Sequence, residues 1–277
     1  MTRLLRIEWN KMFYNKGTRI FLILYFILIG IMGAVLPNIK PNLNGIEVDF
    51  IKLGALDFPV IWHNIAWLVG FGKFFLAIIV INNISNEYSF GTFKQNTIDG
   101  LTKMEFFNSK LFMNLLFAIT STLLVAAIVL GLGSTFAKEF NFLSGIEFLA
   151  GYFVEILAFI AFAMFLAFTL KKSTFATLSI FVLFIIELII RGTEAFIRIK
   201  SDPNNIQEEK FTLFSSYLPF TSNGKIIDFP PGSISQYMMS GKFFTESHVA
   251  WDHFGVNIFY ILLFLGLSFL IIKKRDL

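Results

Sequence analysis

Six long apolar runs, parted by short polar stretches and one long one, set the pattern of this chain. They cover residues 18–36, 60–84, 111–136, 143–170, 174–190 and 254–272. A hydrocarbon core about 30 Å thick takes about 20 residues of apolar helix, so each run predicts a membrane crossing. The fifth is the shortest and stops before Arg191. The first follows a basic start, which also resembles a signal peptide, but no small-x-small cleavage site precedes Pro37. It is therefore read as a retained span.

The polar stretches differ in kind. In 1–17, Leu5, Trp9, Met12 and Phe13 recur at helical spacing, with Arg3, Arg6 and Asn10 opposite. This predicts an amphipathic interfacial helix; a plain basic flank is the alternative. The loop 37–59 holds Pro37, Asn38, Pro41, Asn42, Asn44 and Gly45 and reads as turns. The stretch 86–110 has no Pro. Thr102 followed by Glu105 is a capping-box pattern, so a new helix is expected at Thr102, after a break at Gly100. A short helix across the end of the bundle, anchored by Met104, Phe106 and Phe107, would receive a push from a partner. A solvated loop with an incidental cap is the competing reading. The only large hydrophilic piece, 191–253, is broken by Asp202, Pro203, Asn204 and Asn205, by Pro219, and by Pro230, Pro231 and Gly232. The expected fold is one all-α membrane domain over 1–277, with six transmembrane helices.

Composition agrees: 15% of residues are charged and 56% hydrophobic, against about 25% charged in soluble domains. The absence of Cys excludes disulfides, thiolate metal sites and cysteine catalysis. Frequent Phe, Asn and Lys would suit a bacterium with an AT-rich genome, hence a multi-pass protein of its cytoplasmic membrane. The net charge of +4 matters less than its placement. One face receives Arg3, Arg6, Lys11, Lys16 and Arg19, then Lys94, Lys103 and Lys110, then Lys171 and Lys172, then Lys273, Lys274 and Arg275. The short loops of the other face hold Lys40, Lys52 and Lys138. The positive-inside rule then puts both termini in the cytoplasm and 191–253 outside the cell membrane.

Ionisable groups at membrane depth are functional candidates by default. Lys73 falls within the second run and Glu155 within the fourth. Two functional readings stay open, a pair across helices or Lys73 facing a wet cavity, beside the plain alternative that Lys73 snorkels or sits shallower in the span. Glu187 and Arg191 are four apart, the spacing of a helical ion pair. An intramembrane enzyme has little to stand on. Gly131-Leu132-Gly133-Ser134 faintly resembles a serine-protease motif, but His63, His248 and His253 fall outside the membrane or at its outer interface, so none activates Ser134. There is no H-E-x-x-H, no metal site is expected, and nothing points to nucleic acid. Gly70-Phe71-Gly72-Lys73 is only superficially like a phosphate-binding loop, and no G-x-x-x-x-G-K-[ST] occurs.

Glu87, Gly91-Thr92, Leu101 and the Thr102…Phe106-Phe107…Lys110 block resemble the first cytoplasmic loop of the ABC type-2 permeases. Glu8…Lys11 is similar to that family's N-terminal connecting helix, and Ile271 to Leu277 to its basic-then-Asp tail. The family commonly has Pro and then Ser-Arg where this chain has Asp99-Gly100-Leu101-Thr102-Lys103, which leaves the register of the coupling helix open. The resemblance implies the membrane subunit of an ABC exporter. Glu87, Gly91, Thr92, Thr102, Glu105 and Lys110 would couple to a separate ATPase subunit that binds ATP and Mg, the chain itself carrying no cofactor. A second permease copy or a paralogue would complete the path, among membrane lipids and with room for an extracytoplasmic partner. Family analogy nominates Phe71, Lys73, Phe74, Phe75, Phe181 and Phe184 as path-lining, which suits a lipid-like or amphipathic substrate; a phenylalanine stripe serves packing and lipid contact equally. The competing functional class is a non-transporting scaffold or assembly factor.

Overall fold

A computed structural model describes residues 2–35, 37–38, 40, 42–43, 46–47, 49–201, 214–240 and 243–274. The breakers Asp202 to Asn205, the loop residues Pro41, Asn44 and Gly45, and Arg275, Asp276 and Leu277 lie outside the described residues, as do the side chains of Arg3 and Leu5. In chain order come α1 (Thr2–Tyr14), α2 (Lys16–Val35), strands β1 (Asn42–Leu43) and β2 (Ile46–Glu47), then α3 (Val60–Gly70), α4 (Lys73–Ser89) and α5 (Thr92–Ile98). They are followed by α6 (Lys103–Phe136), α7 (Glu147–Leu170), α8 (Ser173–Ser201), a 3-10 turn (Phe214–Tyr217), α9 (Pro219–Lys225), α10 (Ile234–Ser240) and α11 (Trp251–Lys274). The two strands pair antiparallel through two residues each.

Among the described residues, α2, α6, α7, α8 and α11 are long and apolar enough to cross a membrane, and α3 with α4 pass that test only as a pair bent by 42°. This is the make-up of a multi-pass membrane protein. Helix α7 is central and packs against α4 and α11. Ala158, Ala161, Ala163 and Ala167 are all buried along it, and such small side chains let neighbouring backbones come close. Helix α8 is the opposite case, since only Ala176, Ile180 and Glu187 are buried. Leu178, Phe181, Ile185 and Ile189 are among the many apolar side chains it leaves uncovered.

The break between α3 and α4 is tightly packed at Gly72, where only a glycine fits. A Cβ on Gly72 would lie 2.8 Å from the Tyr25 ring and 3.0 Å from the Val69 carbonyl. The Tyr25 hydroxyl then meets Ser121, whose Oγ lies 2.8 Å from the Tyr152 hydroxyl, so α2, α6 and α7 are tied behind the bend.

Two sequence expectations need correction here. Thr102 does start a helix, but not a short one: α6 runs unbroken from Lys103 to Phe136, because no breaker intervenes before Gly131. The separate short helix is α5, earlier in the chain. Likewise α8 continues past Ile190 to Ser201, taking up the first part of the stretch read as a hydrophilic segment.

The ends of the bundle are defined by contacts. At one end α1 meets α6, and Lys103 donates to the Lys273 carbonyl of α11 at 3.5 Å. At the other, Trp62 donates to the Phe142 carbonyl at 3.1 Å. There His63 lies between Ser247 (2.5 Å) and the Asp228 carbonyl (2.7 Å), stacked on Phe148.

Candidate functional site

The predicted amphipathic stripe of α1 divides in two. Glu8 and Met12, one turn apart, face the bundle and are buried, whereas Trp9 and Phe13 are exposed. The carboxylate on the buried side has a partner waiting. Lys110, about two turns into α6 and with no solvent exposure, extends its ammonium to Glu8 Oε2 (2.5 Å), Glu87 Oε1 (3.1 Å) and Asn83 Oδ1 (3.3 Å). A lysine has three donors and no acceptor, so these three oxygens satisfy it. Lys11 adds a second cation on Glu87 at 2.8 Å, and the Thr92 hydroxyl donates to Glu87 Oε2 at 2.5 Å. The group is charge-balanced: two carboxylates face two ammoniums. A buried charge is tolerable only when paired and hydrogen-bonded, and here each member meets its partners from a different helix.

Glu8, Lys11, Glu87, Thr92 and Lys110, nominated from three separate stretches, thus converge on one cluster that joins α1, α4, α5 and α6. A cavity of about 180 Å³ opens beside it, lined by Lys11, Met12, Asn83, Glu87 and Thr92 among others. Gly91 makes the turn that brings Thr92 back onto Glu87. Its φ of 68° lies in the left-handed region, which glycine enters without the strain a Cβ brings. Helix α5 is held down by Phe93, packed on Tyr88 and Phe106. It leaves Phe90 and Ile98 exposed at that end of the molecule.

Thr102 and Glu105 are not part of the cluster; they cap α6. Thr102 Oγ1 accepts from the Glu105 amide at 3.2 Å, and Glu105 Oε2 accepts from the Thr102 amide at 2.9 Å. Thr102→Ala is expected to destabilise the chain by about 1 kcal/mol and to speed hydrogen exchange of the Met104–Phe106 amides. Unchanged exchange there would show that the cap does not hold this end.

The second group of nominated residues gathers at the bend. Lys73 pairs with Glu155 Oε1 at 2.6 Å and donates to Asn223 Oδ1 at 2.9 Å. Asn223 donates to the Glu155 carbonyl and to Asn257 Oδ1, and Asn257 donates in turn to Ser222 Oγ and the His253 carbonyl. Phe71, Lys73, Phe74 and Phe184 line one cavity of about 220 Å³; Phe181 stacks on Phe74 with ring centroids 6.0 Å apart.

The expected Glu187–Arg191 pair is absent. Glu187 accepts instead from the amides of Phe220 (3.0 Å) and Thr221 (2.9 Å), and Arg191 points outward. The first amides of a helix have no partner within it, and the helix dipole favours a carboxylate there. Pro219 at the first position of α9 fits the same start. Fixed by Glu187, α9 brings Phe220 to the rings of Phe159, Phe162 and Phe184, and Asn223 to Lys73.

Asn83, Asn223 and Asn257 were not singled out in the sequence. Asn257 was visible as a polar residue inside an apolar run, and Asn83 sits in the Asn82–Asn86 group closing the second run. Asn223 carries no such sign. No protein-family model matches the chain, and no curated protein matches it.

Proposed function

We propose that this chain is the permease subunit of an ATP-driven ABC exporter, crossing the bacterial cytoplasmic membrane six times with the bent α3–α4 pair as one crossing. The reading is carried by one observation: Glu8, Lys11, Glu87, Thr92 and Lys110, among the residues that resemble the type-2 permeases, are joined in one hydrogen-bonded network through Glu87 and Lys110. Both termini and α5 then face the cytoplasm, where lysines and arginines concentrate. The stretch after α8 faces outward, open to an extracytoplasmic partner. ATP and Mg are held by a separate ATPase subunit that presses on the α1–α5 end. The ion cluster makes α1, α4 and α6 move as one body, so a push on α5 reaches the bend at Gly72. A second permease copy or a paralogue covers the uncovered apolar side chains of α8, and the cargo is lipid-like or amphipathic.

Purification of the chain from its native membrane tests this directly. An ATPase subunit is expected to come with it in stoichiometric amount; its consistent absence would sink the reading. Ile98→Glu provides the surface test. Ile98 is 83% exposed, so the change leaves folding untouched. Loss of one apolar hot-spot contact is expected to weaken recovery of the ATPase by about tenfold or more.

A further inference from the structure

The cavity beside the α3–α4 bend has two chemically different walls. One is aromatic, formed by Trp67, Phe71, Phe74, Phe159, Phe184 and Phe220. The other is the Lys73–Glu155 pair. Space exists because Gly70 and Gly224 also line it. A Cβ on Gly70 would come within 3.3 Å of Glu155 Oε1, whereas one on Gly224 would meet nothing within 4 Å.

The polar wall retains hydrogen-bonding capacity. Lys73 spends two of its three donors on Glu155 Oε1 and Asn223 Oδ1. Among the described residues no oxygen takes the third, whose other neighbour is the Phe159 ring at 5.5 Å. Glu155 Oε1 accepts from Lys73, while no donor among the described residues reaches Oε2. One donor and one acceptor therefore stand side by side at the edge of an apolar space.

Their formal charges cancel. An anion drawn to Lys73 meets Glu155 directly behind it, and a cation drawn to Glu155 meets Lys73. Neither gains enough to offset leaving water for a site walled by aromatic rings. A neutral group that both donates and accepts fits without that penalty. We infer that this cavity binds an uncharged amphipathic molecule, which turns a hydroxyl or amide to Lys73 and Glu155 and an apolar body to the phenylalanines.

The inference rests on the exporter reading only in making this ligand the cargo. Its test needs neither nucleotide nor ATPase, so either idea can fail alone. The full chain in lipid nanodiscs is labelled with a diazirine-bearing octanol, and labelled peptides are mapped by mass spectrometry. Labelling is expected on the peptides that carry Phe71, Phe74, Phe184 and Phe220. Unlabelled octanol or octanamide should suppress it about tenfold better than octanoate or octylamine, the discrimination of one hydrogen bond to a charged partner. Octanol the stronger competitor identifies an alcohol-headed lipid; octanamide the stronger identifies a peptide-like cargo. Gly224→Leu fills the cavity where nothing stands in the way, and should abolish labelling while leaving thermal unfolding unchanged. Labelling spread over the exposed faces of α8 and α11 and indifferent to Gly224→Leu would overturn the assignment. So would octanoate or octylamine competing as well as octanol.

Discussion

Lys110→Met will loosen the N-terminal helix and destabilise the folded chain by about 3–5 kcal/mol, the effect of removing one partner from a buried ion pair. Methionine is unbranched and flexible like lysine and lacks only the terminal ammonium, so the change is chiefly electrostatic rather than a loss of packing. Glu87 retains Lys11 and the Thr92 hydroxyl. Glu8 fares worse, left with the Asn83 amide at 3.4 Å and Lys11 at 3.7 Å. The carboxylate that suffers is thus the one on α1, and α1 should come away first. Thermal unfolding in nanodiscs measures the loss, and tryptic cleavage at Lys16 or Arg19 reports the release of α1. Adding Glu8→Gln to the variant removes the orphaned charge and should restore roughly half the loss. A single Lys110→Met variant as stable and as protease-resistant as the parent would mean that the cluster does not hold α1.

Different physical cues explain which features could be read in advance. The cap at Thr102 was legible because both partners lie within about one turn, so four residues of sequence, Thr102 to Glu105, contain the whole interaction. The convergence of Glu8, Glu87 and Lys110 was legible only as a selection of residues. Lys110 reaches Glu8 across 102 positions, a separation about which spacing says nothing. Spacing misled at Glu187 and Arg191. Four residues apart on a helix makes a pair available but does not rank it against other partners, and the unpaired amides opening α9 offered Glu187 more. In α1 the helical period was right, yet hydrophobicity was a poor guide to which side faces the protein. The buried pair is Glu8 with Met12, and a carboxylate is assigned to water by any count that cannot see Lys110. Asn83 and Asn223 escaped because they are uncharged, although Asn83 supplies an oxygen to the buried Lys110 and Asn223 one to the part-buried Lys73. The long reach of α6 and α8 was visible in principle, since no Pro or Gly interrupts residues 103–130 or 173–191.

The two ends of the Lys73–Glu155 pair should not be equally sensitive. Lys73→Met is expected to destabilise the bundle by about 3–5 kcal/mol, and Glu155→Gln by only about 1–2 kcal/mol. The asymmetry follows from geometry. Glutamine at 155 still offers a carbonyl oxygen to Lys73, Asn223 Oδ1 remains at 2.9 Å, and the Lys73 side chain has some access to the cavity. Methionine at 73 gives Glu155 nothing in return. That carboxylate is buried on α7, the most buried of the long apolar helices, and has no other donor among the described residues. Asn223 would also lose the ammonium that fixes its amide, so α9 should loosen with it. The double variant Lys73→Met with Glu155→Leu removes both charges and is expected within about 1 kcal/mol of the parent. Thermal unfolding of the four proteins in the same lipid decides the matter. A Glu155→Gln variant less stable than Lys73→Met would show that Lys73, not Glu155, is the end of the pair that depends more on its partner.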